Sequence, residues 1–270
     1  MSYVVDAGDS IRSIRSADTI ISFLNKAPLI LVGVSRNRLS AQQLTVQLTY
    51  IYNQILSILT LTQINRIFQQ RSNYDLRRML SGSERLITHL SASMDADPSF
   101  FLSAVRCLSL PTGVRDLISE SIIRYCSKKD VVFGLLVAEN QLVTLIRKKD
   151  CFIHPADLHL ILNMINATES FKNSESWTPL CLPKFDSSGF LHAYVSYVSE
   201  DCPACLVLIT VDRNAFFPLS EARQLIRERL ERHNAISAIV EALRSSEYTT
   251  ESIELPELRH FLYKVGTVPR

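Results

Sequence analysis

The sequence predicts a mixed α/β (α+β) fold in which a mostly antiparallel five-stranded sheet is flanked by helices. Hydrophobic residues make up 47% of the 270 positions and charged residues 21%, which is typical of a folded chain and not of a disordered one. In the second half of the chain the patterns follow the order strand, strand, helix, three strands, helix. A sheet built in that order needs no long parallel crossover, so antiparallel pairing is favoured.

The first part of the chain shows strand patterns followed by two helices. An apolar run at residues 29–34 follows Pro28 and is too short for an ordinary helix, so it predicts a buried strand. Ser40 and Gln43 have the spacing of a capping box, which predicts that the first long helix begins there. Apolar residues at helical spacing continue this helix to Leu59. The other predicted elements are weaker strands at 11–15 and 19–24 and a helix at 75–94.

The second part of the chain supplies the predicted five-stranded sheet. Glu139 and Asn140 form a tight turn between the first two strands, and Pro155 is a favourable first-turn residue for the helix that follows. An Asp-Ser-Ser-Gly run at 186–189 predicts another turn. The predicted elements are a helix at 114–125, strands at 131–138 and 141–147, the helix from Pro155, strands at 179–183, 191–198 and 205–211, and a long helix at 220–243.

An internal similarity indicates two copies of one domain. Residues 29–37, before the first long helix, resemble residues 205–214, before the last. The first copy has no room for the two strands and the helix that open the second copy, so we predict that it is incomplete. Its sheet would then have an unpaired edge, which tends to recruit another chain or to aggregate. Residues 258–265 supply one further strand candidate.

Glycine spacing and charge exclude several classes of function. No two of the seven glycines lie within twenty residues of each other, whereas a phosphate-binding loop needs clustered glycines. This excludes G-x-G-x-x-G and G-x-x-x-x-G-K loops and a G-x-S-x-G nucleophile elbow. The formal net charge of +2 is too small to indicate nucleic-acid binding. We therefore predict no cofactor, no metal and no nucleic-acid partner.

The beginning of the sequence and its cysteines predict a cytosolic protein. Residues 1–6 contain no basic region and no long apolar run, so a signal peptide is not indicated. The longest apolar runs, such as 131–138, are far shorter than the roughly 18 residues of a membrane span. The six cysteines would then be reduced thiols, mostly small apolar core residues.

Two short motifs allow a chemical interpretation and a plainer one. Cys202 and Cys205 have redox-motif spacing, but a strand is predicted after them in place of the helix start that would lower the pKa of a thiol. The plainer interpretation, that these two cysteines belong to the core and a loop, is favoured. The alternative is a thiol enzyme or a small-molecule-sensing module built around them. His154 and His159 lie five residues apart, which is wrong for zinc ligands on one helix face. We predict that His154 caps the helix and that His159 is an exposed helix residue.

Two positions are candidate contacts with a partner or a neighbouring domain. Tyr74, Asp75, Arg77 and Arg78 cluster at a predicted helix start. In one interpretation Asp75 caps that helix or favours its dipole, while the arginines are solvated or pair locally. In the other, the cluster contacts a partner or a neighbouring domain, and arginine suits bidentate bonds. Trp177 is the only tryptophan, and its ring would anchor either the core or an interface.

A third group of residues is a candidate membrane contact. Lys128 and Lys129 precede the first hairpin of the second domain, and Arg147, Lys148 and Lys149 follow it. A basic residue near an anionic membrane contributes about 1 kcal/mol to binding. A solvated loop is the alternative interpretation.

One long motif resembles a known family. The run N-Y-D-L-R-R-M-L-S-G-S-E-R at residues 73–85 is very similar to the NYDLRR-x-L-x-GSE signature of the vacuolar fusion protein Mon-one family, also called the SAND family. Residues 28–36, 104–107, 177–185 and 258–264 also resemble that family. The resemblance therefore extends from about residue 11 to residue 264.

The resemblance implies a fold and a domain map. Members of that family carry three longin domains. By that comparison, residues 11–95 are the later part of a first longin domain, 96–127 a helical connector, 128–246 a complete second longin domain and 255–270 the start of a truncated third.

The resemblance also implies a function without covalent chemistry. With a Ccz-one-type longin partner, the family acts as a guanine-nucleotide exchange factor for the late-endosomal Rab GTPase of the Rab-seven type. An early-endosomal Rab and phosphatidylinositol 3-phosphate recruit it to membranes, so a cytoplasmic protein, peripheral on endosomes and vacuoles, is expected. A longin-type trafficking adaptor or scaffold without exchange activity is the alternative.

Overall fold

The fold contains a three-stranded and a five-stranded sheet together with helices, which confirms the predicted α+β class. The computed structural model describes residues 11–36, 39–127, 129–245, 255, 257 and 258. The chain divides into two compact units. Met1–Phe101, Ala156–Ala167 and Leu180–Phe190 form the first unit, and Leu102–Pro155, Thr168–Pro179 and Leu191–Arg270 form the second. The domain boundaries predicted from the sequence stay predictions.

In the first part of the chain, strands come before helices. The strands β1 to β3 form an antiparallel sheet in chain order. A short 3-10 helix at Leu76–Arg78 lies between the second and third α-helices. The elements are β1 (Ser13–Ser16), β2 (Thr19–Lys26), β3 (Leu29–Ser35), α1 (Ala41–Ile58), α2 (Leu61–Gln70) and α3 (Glu84–Ala96).

In the second part, helices and strands alternate around the larger sheet. Its strand order is β5-β4-β8-β7-β6, and the pairs β4–β5, β4–β8 and β7–β8 are antiparallel. The elements are α4 (Thr112–Cys126), β4 (Val131–Ala138), β5 (Gln141–Arg147), α5 (Pro155–Ala167), β6 (Ser176–Leu182), β7 (Asp186–Ser199), β8 (Cys202–Thr210), α6 (Phe216–Arg232) and α7 (Ala235–Arg244).

Local sequence signals fix the start of α1. The Ser40 side chain accepts a hydrogen bond from the Gln43 N–H at 3.1 Å, and the Ser40 N–H donates to Gln43 Oε1 at 2.8 Å. This confirms the predicted capping box, which satisfies two amides that a helix start leaves unpaired. Helix α1 packs closely on β3 at Gly33. A Cβ at this position would lie only 3.0 Å from Leu44 Cδ1, so the close packing depends on glycine.

The smaller sheet has one apolar face that the described residues leave exposed. Ile14, Ile21 and Val34 lie side by side across its strands, and Ile30 and Val32 extend the same face along β3. Four of these five side chains are exposed, while Ile21 is half-buried. The prediction of a buried strand at 29–34 is therefore wrong, because only the other face of β3 packs against α1. Among the described strands, β1 and β3 form the two edges of this sheet.

The larger sheet follows the sequence pattern closely. Strands β4 and β5 have the predicted bounds, and Glu139 and Asn140 between them both have positive φ, as a two-residue hairpin turn requires. The second unit's core joins the sheet to α4, α6 and α7 through residues such as Ile122, Leu206 and Leu219.

Two predicted helices are wrong in extent. The helix predicted at 75–94 is interrupted at Gly82, whose φ is +89°, so only a 3-10 turn forms before α3. The helix predicted at 220–243 begins at Phe216 and breaks at Asn234, whose φ is +56°. Helix α2 was not predicted; its N-cap is Thr60, which accepts a hydrogen bond from the Gln63 N–H at 3.3 Å.

Strand boundaries differ from the predictions near residue 186. Residues 183–185 make the turn, and β7 already begins at Asp186, so the predicted turn at 186–189 is wrong. Asp186 nevertheless makes the expected local bond, accepting from the Ser188 N–H at 2.8 Å. Strand β8 begins at Cys202 and not at residue 205. Apart from Leu258, the strand candidate at 258–265 lies outside the described residues.

Helix α5 is held in the first unit by buried polar bonds. The Asn163 side-chain amide donates to Gln54 Oε1 at 2.8 Å and to the Leu86 carbonyl at 2.9 Å, and its Oδ1 lies 2.7 Å from His89 Nδ1. At the start of the same helix, Asp157 accepts hydrogen bonds from the backbone N–H groups of Lys184 and Phe185. These bonds join α5 to two helices and to the turn that precedes β7.

Candidate interaction surfaces

The predicted contact cluster lies on an exposed loop between α2 and α3. Asp75 caps the 3-10 turn by accepting from the Arg77 N–H at 3.1 Å, and it pairs with the Arg77 guanidinium at 2.7 Å. These bonds hold the pKa of Asp75 down to about 2. Arg78 is exposed and Tyr74 is half-buried. The loop therefore presents an internally bonded Asp–Arg pair beside the exposed Arg78, and arginine suits bidentate contact with a partner.

Trp177 belongs to an aromatic cluster in the second unit. Its ring stacks on His192 with centroids 5.5 Å apart and meets Phe216 edge-on at 6.2 Å. Burial lowers the pKa of His192, and the charge of Arg213 lowers it further. Trp177 is half-buried and packs against the core. This packing agrees with the interpretation that Trp177 anchors the core. A contact between Trp177 and a partner stays a prediction.

The candidate membrane residues gather at one end of the larger sheet. Lys129 reaches the carbonyl of Pro218, and Lys148 lies 3.7 Å from the Asp130 carboxylate. Arg147 donates to the Cys151 carbonyl at 2.9 Å, and Lys149 is exposed. These four residues are called the basic end below; Lys128 lies outside the described residues.

Exposed apolar side chains accompany the basic end, and the sequence predictions did not include them. Phe152 is 62% exposed beneath the Arg147 guanidinium, whose carbon lies 4.3 Å from the ring centre. Val211 follows β8 and is 62% exposed, and Phe217 is 75% exposed beside the carbonyl that Lys129 contacts. An aromatic residue close to a basic run was the available signal, because such pairs are typical of membrane-surface contacts.

The cysteines and histidines form no chemical site among the described residues. Cys202 and Cys205 are buried in β8, and their odd spacing directs their side chains to opposite faces of the sheet. Burial raises the pKa of Cys205 to about 12. His159, predicted to be exposed, is buried and stacks on Phe100 with centroids 3.9 Å apart. Within the described part of the chain, no cluster of metal-ligating side chains occurs.

None of the described helices is both long enough and apolar enough to span a bilayer.

Comparisons with known protein families match the sequence of this chain to longin domains. The family described as the first Longin domain of FUZ, MON1 and HPS1 matches residues 1–90. The family described as the second Longin domain of the same proteins matches residues 129–228. The chain is a longin-domain protein.

Full-length relatives identify the family. The chain is 48% identical over 264 residues to vacuolar fusion protein MON1 homolog A of chicken, which covers 98% of this chain and 48% of that protein. It is 49% identical over 256 residues to the human homolog A, and the match covers 95% of this chain and 39% of the human protein. It is 39% identical over 264 residues to vacuolar fusion protein MON1 of Cryptococcus neoformans, and the match covers 98% of this chain and 42% of that protein. The chain belongs to the MON1 (SAND) family of vacuolar fusion proteins, and it spans 39–48% of the length of these relatives.

Proposed function

We propose that this chain is part of a guanine-nucleotide exchange factor for a late-endosomal Rab GTPase of the Rab-seven type, working with a Ccz-one-type longin partner. In that role it promotes endosome maturation and fusion with the vacuole or lysosome. The observation that supports the proposal is the 48% identity to a vacuolar fusion protein over 98% of the chain. An early-endosomal Rab and membranes with phosphatidylinositol 3-phosphate are its proposed recruiting partners.

Nucleotide exchange depends on the affinity of the factor for the GTPase and involves no making or breaking of covalent bonds. A factor that binds the nucleotide-free GTPase more tightly than the loaded one accelerates release, because binding shifts the GTPase toward its empty state. The exposed Asp75–Arg77 pair and Arg78 are our proposed contacts for the GTPase or the longin partner. A longin adaptor without exchange activity would bind GTPases without this preference for the empty state.

We expect this chain with its longin partner to accelerate release of a fluorescent guanine nucleotide from Rab-seven about tenfold or more. The physical reason is preferential binding of the nucleotide-free GTPase. The measurement is fluorescence decay after adding excess unlabelled nucleotide, with the human full-length relative and the same partner as the positive control. If the relative accelerates release and this chain does not, exchange activity of this chain is ruled out. If neither accelerates release, the exchange function itself is wrong.

The basic end is our proposed contact with the membrane. Lys149 adds a positive charge without a described partner, and Phe152 and Phe217 supply apolar rings that can enter the headgroup region. The location that follows is cytoplasmic and peripheral on endosome and vacuole membranes.

Reversing the charge of Lys149 should weaken vesicle binding. We expect Lys149→Glu to reduce the affinity for vesicles containing phosphatidylinositol 3-phosphate about tenfold, because each basic residue near the surface contributes about 1 kcal/mol. Vesicle co-sedimentation at low and high salt measures the effect. Lys26→Glu is the matched control, because Lys26 is also exposed but lies on β2 in the first unit. Equal binding by both variants would contradict the proposal.

A further inference from the structure

A groove of about 470 Å³ runs between helix α4 and strand β5 in the second unit. Ile123, Leu145 and Ile146 supply its apolar lining, and Ile123 is 52% exposed. Arg147 and Lys148 lie at one end of the groove, where Asp130 faces Lys148. The lining is therefore largely apolar but includes Ser119 and Ser127, and one end carries two basic side chains and one carboxylate.

The groove depends on a close approach between helix and sheet. A Cβ at Gly134 would lie 2.7 Å from Ile146 Cγ1 and 3.0 Å from Ile122 Cγ2, so only glycine leaves room for both isoleucines. Towards the other end of β5, the hydroxyls of Ser119 and Thr144 are 2.6 Å apart and tie α4 to the strand. These contacts fix the width of the groove.

Strand β5 is an edge strand, and part of its edge lies open beside the groove. The Lys148 N–H donates to the Val132 carbonyl at 2.8 Å, so the backbone of Lys148 and Ile146 points towards β4. By the alternation of an antiparallel pair, the N–H and C=O of Leu145 point the other way. No described residue hydrogen-bonds to them there. An unpaired strand edge of this kind is a template for a further strand.

The same edge already holds an extended segment a few residues away. Residues 106–108 lie parallel to β5, with the Leu108 N–H donating to the Leu142 carbonyl at 3.0 Å and the Leu142 N–H donating to the Arg106 carbonyl at 2.8 Å. Arg115 closes this segment by donating to the carbonyls of Leu108 and Val143. The segment pairs at Leu142, so the edge beyond Val143 has no such cover among the described residues.

We propose that the groove between α4 and β5 binds an extended acidic peptide of a partner protein, which adds a strand to the open edge at Leu145. One apolar side chain of the peptide lies against Ile123 and Ile146, and a carboxylate meets Arg147 and Lys148. A peptide fits better than a lipid, because main-chain hydrogen bonds satisfy the strand edge and alternate side chains enter the groove. The site is separate from the exchange contacts proposed at residues 75–78, but it shares Arg147 and Lys148 with the proposed membrane contact.

A synthetic peptide tests strand addition and charge together. The probe is fluorescein-labelled Glu-Val-Glu-Val-Glu-Val-Glu, and its binding to the whole chain is measured by fluorescence anisotropy. We expect a micromolar dissociation constant. A second peptide replaces the central valine by proline, which cannot donate to a ladder, and a third carries lysine in place of every glutamate. Both should bind about tenfold more weakly or worse, since a lost ladder bond or reversed charge costs about 1 to 2 kcal/mol.

Paired variants locate the binding site. Arg147→Glu and Ile123→Lys should each weaken binding of the glutamate peptide about fivefold or more. Arg232→Glu and Leu225→Lys are the matched controls, because both residues are exposed on α6, away from the groove lining. Circular dichroism establishes that each variant is folded.

Each contrary result overturns the proposal. These results are no binding of the glutamate peptide, equal binding of the proline or lysine peptide, and equal losses in the control variants. Vesicles of anionic lipid are tested as a competitor. If they bind through Arg147 and Ile123 while the peptide does not bind, the groove is a lipid site and the peptide proposal is wrong.

Discussion

Replacing Asn163 by alanine should lower the free energy of unfolding by about 3 kcal/mol, because three buried or half-buried groups would lose their hydrogen-bond partner. Asn163 donates to Gln54 Oε1 and to the Leu86 carbonyl, and its Oδ1 contacts His89. Each buried acceptor that loses its donor costs about 1 to 3 kcal/mol. Urea unfolding followed by circular dichroism measures the loss.

The control for Asn163 is another asparagine that lies on a helix surface. Asn65 is exposed on α2, so Asn65→Ala should change the unfolding free energy by no more than about 0.5 kcal/mol. A loss below about 1 kcal/mol for Asn163→Ala would show that the polar network does not stabilise the first unit.

Asp157 should make stability depend on pH in an unusual direction. Burial raises the pKa of Asp157 to about 6, against the opposing effects of its backbone hydrogen bonds and of the Lys184 charge. The folded chain therefore holds a proton between about pH 4 and pH 6 that the unfolded chain releases. Stability from this group is fully present below about pH 4 and is lost as the pH rises through about 6.

Comparison with Asp157→Asn isolates this effect from other titrating groups. The unfolding free energy of the unchanged chain minus that of the variant should be about 2 kcal/mol larger at pH 4.5 than at pH 7.5. Chemical unfolding at the two pH values measures the difference. Asp201→Asn is the control, because Asp201 is exposed in the β7–β8 turn. A difference that stays constant, or that grows as the pH rises, would contradict the assignment.

Local chemistry explains which elements could be predicted from the sequence. The Ser40 cap depends on a residue only three positions away, and the hairpin at 139–140 joins two strands that are adjacent in the chain. In both cases the interacting groups are near neighbours in sequence. The same is true of the Asp75–Arg77 pair, because local pairing of these arginines was one of the interpretations that the sequence allowed.

The site predictions were limited by distance along the chain. The basic end joins Lys129, which precedes β4, to Arg147, Lys148 and Lys149 at the end of β5, and Lys129 meets the carbonyl of Pro218, which is 89 positions away. The exposed ring of Phe217 becomes part of this surface only because the sheet places the ends of β4 and β8 side by side, whereas Phe152 lies only five residues after Arg147. No periodicity in a single segment indicates such a meeting.

The sequence by itself determined the α+β class, the cap of α1, the β4–β5 hairpin and the resemblance that identifies the family. Tertiary structure decided the turn at 183–185, because the carboxylate that accepts its N–H groups comes from Asp157 on another element. It also decided the burial of His159 against Phe100 and the groove beside β5. The physical reason is range: bonds within one helix or turn are encoded by adjacent residues, whereas long-range contacts form only when the whole chain packs.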